Sequence, residues 1–248
     1  MMKYLSKIKL HPLMVIFGLL LYSEGLFKYF LIILIIVLFH EFGHFVFAIL
    51  FKRNVIRLDI LPFGGKLLID SIISTNIIED LIICMGGVFF QVILSFIVYI
   101  FFKSYRLYNL FIYYNIRILL FNLLPINPLD GYKFFKYIIE LVIPFKYSFY
   151  VMYLIEILCI FLIFWYKLDL IYNNLLIVLF LVFTNIKDIY NYKYILNRFY
   201  IERMNYTFNY KVKSISNIND MYKNKANIIN GIHENIYVKL YFDNVKNF

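Results

Sequence analysis

From Tyr29 to Phe51 the chain is built almost wholly from Leu, Ile, Val and Phe, and in the middle of that run stands His40-Glu41-Phe42-Gly43-His44. A run of this length matches the hydrocarbon core of a bilayer, which takes about 20 apolar residues in an α-helix. In lipid every backbone polar group must be satisfied within the segment, so the run predicts a membrane-spanning helix. An ionisable residue at the centre of such a helix costs roughly 2.5–3.5 kcal/mol on insertion scales. A polar patch that only holds helices together is explained better by Ser or Asn than by a Glu between two His. Histidines at i and i+4 share one helix face, about 5–6 Å apart at Cβ. That spacing lets two imidazoles hold one metal ion while the adjacent Glu acts as general base on water.

The rest of the sequence fits a membrane setting. With 63% hydrophobic residues and a mean hydropathy of +0.76, a water-soluble domain is excluded, and the expected class is an all-α polytopic membrane protein. About six spans are expected on the length criterion: Leu13–Leu26, Tyr29–Phe51, Leu81–Phe102, Tyr108–Leu124, Tyr147–Tyr166 and Leu170–Ile186. Lys3, Lys7 and Lys9 precede the first of these without a small-residue cleavage site, so that span reads as a retained anchor. Between the second and third spans, Arg57–Asp70 has two apolar-alternating arms around Pro62 and Gly64-Gly65, which predicts a small β-hairpin at the membrane surface. An amphipathic loop lying on the headgroups fits those residues equally well. Residues 1–190 are expected to form the transmembrane domain and residues 191–248 a short cytoplasmic tail; Lys187–Tyr210 reads as an amphipathic or juxtamembrane helix and the remainder as a small α/β piece.

The formal net charge is +10, but the Lys and Arg lie mainly in loops and the tail. Membrane topology and anionic headgroups account for them, and nucleic acid is not an expected partner. The N-terminal segment, the Lys52–Asp80 and Asp130–Lys146 loops and the tail are Lys/Arg-bearing, whereas the Ser23–Lys28 and Lys167–Asp169 turns carry few. This places both termini in the cytoplasm, with Lys103 and Arg106 the exceptions. Cys84 and Cys159 lie in apolar spans and read as buried small hydrophobes.

Two imidazoles do not complete a catalytic zinc site, which commonly takes three protein ligands and leaves one position for water. Asp130 is the best candidate for the third. It follows an apolar span directly, in Asn122-Leu123-Leu124-Pro125-Ile126-Asn127-Pro128-Leu129-Asp130-Gly131. The two prolines stop regular helix, and broken helix at membrane depth is tolerated only against protein or a watery cavity. Asn127 offers an amide to hold a substrate backbone or an oxyanion. The same residues also suit a plain turn at a helix end. Glu24, Glu140 and Glu156 are rival ligands, Glu156 being the most notable because it stands inside the fifth span. His11 and His233 have no such setting.

At these two segments the sequence resembles the site-2 protease family of intramembrane zinc metalloproteases, whose signatures are HExxH on one span and Asn-Pro-x-Asp-Gly on a later one. Here they stand as His40–His44 and Asn127–Gly131. The fuller Asn-Leu-Leu-Pro-Ile-Asn-Pro-Leu-Asp-Gly-Tyr-Lys and the compact layout look like the family's sporulation branch. The resemblance covers roughly residues 1–190. It implies one zinc ion per chain on His40, His44 and Asp130, with Glu41 as the catalytic base. It also implies a membrane-associated protein substrate, the precursor of a late mother-cell sigma factor cut near the cytoplasmic face of the cell or forespore membrane, and membrane inhibitor proteins as further partners. Two features depart from the family. Gly86-Gly87-Val88-Phe89-Phe90-Gln91 lacks the Pro of the relatives' Gly-Pro-x-x-Asn and has Gln one place late. The tail is also too short for a paired nucleotide-sensing module.

A metal-ion transporter using the same His, Glu and Asp is the alternative. It predicts polar residues stacked through several spans, and few are present. A catalytically inert scaffold would be expected to have lost Glu41 or a ligand.

Overall fold

A computed structural model describes residues 8–10, 12–61, 64–69, 73–166 and 171–246. His11, Pro62, Phe63, Asp70 and the Lys167-Leu168-Asp169 turn lie outside the described residues. The chain divides into two compact units: Met1–Asp70 with Ile82–Asn122, and Ser71–Leu81 with Leu123–Phe248.

The first unit opens with β1 (Ile8–Leu10), α1 (Pro12–Ser23) and α2 (Phe27–Leu50), followed by β2 (Val55–Leu61) and β3 (Gly64–Ile69). It closes with most of α3 (Ile77–Phe102) and with α4 (Tyr108–Asn122). The expected hairpin is present: β2 and β3 pair antiparallel, with Asp59 opposite Lys66. The sheet also gains a strand that the sequence pattern did not predict, since β1 adds parallel to β2 with Ile8 opposite Leu58. The architecture is therefore mostly helical with small sheets, not purely α.

The helices α2 and α3 approach at glycines. A Cβ on Gly43 would collide with the Gly86 carbonyl oxygen, and one on Gly86 would lie 2.7 Å from the Gly43 oxygen. Small residues at such a crossing let backbones close up where no hydrophobic driving force separates helix from lipid. Around the crossing, Phe45, Ala48, Val55 and Ile83 form one apolar cluster, and Ile36, Leu94 and Phe111 another. Phe39, Phe42, Phe89, Phe96 and Phe101 instead point away from the protein interior. An all-round apolar helix is what a lipid environment requires.

The second unit contains α5 (Asp130–Val142), α6 (Phe145–Tyr166), α7 (Ile171–Asn205), β4 (Val212–Ile215), β5 (Ala226–Ile229), β6 (Ile232–His233) and α8 (Glu234–Lys246). β4 pairs parallel with β5, and β5 antiparallel with β6. The C-terminal residues are a folded α/β piece with a real core: Ile218, Met221, Ile229 and Val238 pack with Phe145 and Phe149 of α6 and Phe199 and Tyr200 of α7. Its anchor is Arg203. Fully buried, this side chain donates to Glu234 at 3.0 Å, to the carbonyl oxygens of Lys225 at 3.1 Å and Tyr222 at 3.3 Å, and to that of Lys223. The expected juxtamembrane helix is the end of α7, which continues without a break to Asn205. The 190/191 boundary consequently falls inside a helix.

Among the described residues, three helices are long and apolar enough to cross a membrane: Phe27–Leu50, Ile77–Phe102 and Phe145–Ile163. At 12 and 15 residues, α1 and α4 are shorter than the roughly 20 residues a span needs.

Candidate metal centre

Residues 27–50 form one unbroken helix, so the i, i+4 spacing acts as expected. His40 and His44 are buried, 2% and 6% exposed, with ring centroids 4.9 Å apart and their Nε2 atoms 3.2 Å apart. Each ring is fixed from behind. His40 Nδ1 lies 3.0 Å from Gln91 Oε1, and His44 Nδ1 lies 2.8 Å from the Ile83 carbonyl oxygen. A carbonyl oxygen only accepts, so His44 carries its proton on Nδ1. Gln91 spends its Nε2 on the Asn115 carbonyl at 2.8 Å, which turns its Oε1 to His40 and gives that ring the same tautomer.

Both Nε2 lone pairs then face each other at contact distance, an arrangement that is repulsive unless a cation lies between them. Zn–N bonds of about 2.0–2.1 Å in tetrahedral geometry place two nitrogens about 3.3 Å apart. The observed 3.2 Å fits that spacing. Outer-shell acceptors on the second ring nitrogen are the usual way of orienting metal-binding His.

Gly87 is part of this arrangement. A Cβ there would sit 2.5 Å from His44 Nε2 and 2.6 Å from His40 Nε2, so only hydrogen fits beneath the two rings. Glu41, next to His40, is also buried.

Asp130 opens α5 in the second unit. Residues 123–129 leave helical geometry, and a turn closes by Leu129 N–H donating to the Ile126 carbonyl at 2.9 Å. Asn127 and Pro128 are its central residues, joined by a cis bond. A Cβ on Gly131 would fall on the carbonyls of Leu123 and Leu124, so the chain can double back there only with glycine. Asp130 Oδ1 accepts from Lys133 Nζ at 2.9 Å. Asn127 is tied on three sides. Its N–H donates to Glu156 Oε1 at 2.8 Å, its carbonyl accepts from Thr184 Oγ1 at 2.8 Å, and its side-chain amide donates to Asp188.

Two further residues were visible in the sequence, Gln91 as a departure from the relatives' pattern and Glu156 as a rival ligand, without the contacts they make here. Gln91, wholly buried, holds His40. Glu156, also wholly buried, holds the backbone of Asn127 and the side chain of Asn185. The signal in both cases was a polar residue in an apolar span. Its partner lies 51 residues away for Gln91 and 29 away for Glu156, which no local pattern reveals.

The geometry around His40 and His44 falls inside a recognisable sequence segment. Residues 28–111 match the model of peptidase family M50. The chain is 33% identical over 144 residues to stage IV sporulation protein FB of Bacillus subtilis (strain 168), a match covering 56% of this chain and 50% of that protein. The chain thus spans about half the length of the curated relative it matches. The fold is similar to that of the site-2 protease from Methanocaldococcus jannaschii, with a TM-score of 0.55 and 21% identity, covering 73% of this chain and 89% of that one. The transporter reading is not favoured.

Proposed function

We propose that the chain is an intramembrane zinc endopeptidase, with His40, His44 and Asp130 together holding one zinc ion. The observation that carries this reading is the pair of Nε2 atoms 3.2 Å apart, each turned inward by an acceptor on its Nδ1. The M50 match over residues 28–111 supports it, because the segment contains both His, Glu41 and Gln91.

When bound, zinc lowers the pKa of its water towards about 7 and polarises a scissile carbonyl. The chain's own residues do the rest. Glu41 takes a proton from the attacking water on its carboxylate and delivers it to the leaving amine, as general base and then general acid. With its side-chain NH₂ engaged by Asp188, Asn127 presents Oδ1 to a substrate backbone N–H. A helical substrate hides its carbonyls in the backbone ladder, so segments that unwind are cut best.

In this reading α1, α4 and α7 join the three long apolar helices in a six-span layout with both termini cytoplasmic. The substrate is a membrane-associated protein. The likeness to a sporulation protein favours a sigma-factor precursor cut at the cytoplasmic side of the cell or forespore membrane.

The test is co-expression with a candidate sigma precursor. Glu41→Gln should cut processing by about 10²–10⁴-fold, the usual contribution of a general base. Unchanged processing would sink the protease reading. Zinc analysis of His44→Ala and Asp130→Ala tests the ligands, each of which should lose the ion.

A further inference from the structure

Glu156 has no counterpart in the chemistry above, yet it stands fully buried in an otherwise apolar stretch of α6 whose Leu154, Ile157 and Leu158 are exposed. A carboxylate there is costly and is expected to serve a specific partner. Its partners are two donors. Oε1 accepts the Asn127 backbone N–H and Oε2 accepts from Asn185 Nδ2, both at 2.8 Å. Next to Asn185 in sequence, Thr184 places Oγ1 2.8 Å from the Asn127 carbonyl, sharing its proton between that oxygen and Leu181 O. One helical turn on, Asp188 receives the Asn127 side chain. Every polar group of the Asn127 main chain is thus met by a side chain of α6 or α7.

This matters because of where Asn127 sits. Within itself the segment between α4 and α5 makes short bonds, Ile126 N to Leu124 O at 2.8 Å and Leu129 N to Ile126 O at 2.9 Å. On the other side of Asp130, Gly131 presses directly on the Leu123 and Leu124 carbonyls. The loop therefore folds on itself, and among the described residues its backbone hydrogen bonds to neighbouring helices run through Asn127. From these bonds we infer that Glu156 is a positioning residue, whose carboxylate pins the Asn127 backbone and thereby seats Asp130 for metal binding. The inference rests on the proposed ligand role of Asp130. It also separates Glu156 from that role, since both of its oxygens are already committed as acceptors.

The experiment uses the full-length protein in detergent and two readouts. One is hydrogen–deuterium exchange of residues 123–129 in the metal-free protein. The other is zinc affinity by competition with a chelator. Glu156→Ala should speed exchange at Asn127 and weaken zinc roughly 10–100-fold, the range for losing an outer-shell partner. Glu156→Gln keeps an oxygen for the Asn127 N–H and should restore most of both. A purely structural role would lower thermal stability without changing the zinc affinity of the folded protein. Glu156→Ala with wild-type exchange and wild-type affinity would overturn the proposal, as would a Gln variant no better than Ala. If Ala does not fold, Glu156→Asp, one methylene short of Asn127, replaces it with the same expectations. Zinc bound at wild-type affinity by Asp130→Ala would instead overturn the ligand assignment, and exchange at Asn127 would still decide the clamp.

Discussion

His40 and His44 stand on an uninterrupted helix, whereas Asp130 stands at the end of a broken one. The first arrangement is specified by periodicity and small residues. Four residues of helix bring the two rings to one face, and Gly43, Gly86 and Gly87 let α3 come close enough to supply acceptors from behind. The second is specified by side chains far away in sequence. Residues 123–129 have no helix to satisfy their backbone, so Glu156 and Thr184 meet the main chain of Asn127 instead, and Asp188 takes its side-chain amide. A rigid helix face needs only the right spacing, but a loop at membrane depth needs a partner for each polar group it frees. The His pair should therefore be sensitive to volume, and the Asp segment to lost hydrogen bonds.

The sharpest break of that contrast is Gly87→Val. Any Cβ at this position lies within 2.6 Å of both Nε2 atoms. The variant should lose zinc beyond the roughly 100-fold of an outer-shell defect, measured as metal per folded protein. A zinc-replete Gly87→Val would show that the rings do not sit against α3 as described.

Gln91→Leu comes next. It has similar bulk but no acceptor for His40 Nδ1, and it leaves the Asn115 carbonyl without the Gln91 amide. Zinc affinity should fall roughly 10–100-fold with little loss of helix packing. A change no larger than that of Ser95→Ala, whose hydroxyl bonds the backbone oxygen of Gln91, would remove Gln91 from the site.

The same contrast explains what could be read from the sequence. The HExxH face and the long apolar helices were legible because period and hydropathy are local. The β2–β3 hairpin was legible from Pro62, the Gly pair and alternating arms, although β1 joining it was not, since its register depends on residues 50 positions away. The turn at Asn127–Gly131 was visible in its residue types. What held it was not, because Glu156 and Asp188 look alike in sequence to any buried acid. Gln91 stood out in the sequence only as a departure from the relatives' Gly-Pro-x-x-Asn pattern, and its partner His40 lies too far away in sequence for that pattern to show. In the tail, a small α/β piece was legible, but Arg203 as its anchor was not. A basic residue near a helix end ordinarily reads as solvated, and here it is wholly buried on Glu234 and backbone carbonyls.

The smallest expected effect probes which contact sets Asp130. Lys133 Nζ bonds Asp130 Oδ1 at 2.9 Å, one turn along α5, with its side chain 51% exposed. An exposed i, i+3 pair contributes about 0–1 kcal/mol, so Lys133→Ala should change zinc affinity by less than about fivefold. The direction should be a slight gain, because the ammonium and a metal ion compete for one carboxylate. If the Lys133 contact and not the Asn127 clamp positioned Asp130, Lys133→Ala would weaken zinc as much as Glu156→Ala. Chelator competition on the two variants side by side separates these cases. A loss confined to Glu156→Ala means the loop's backbone partners, not the charge beside it, hold the Asp130 end of the proposed site.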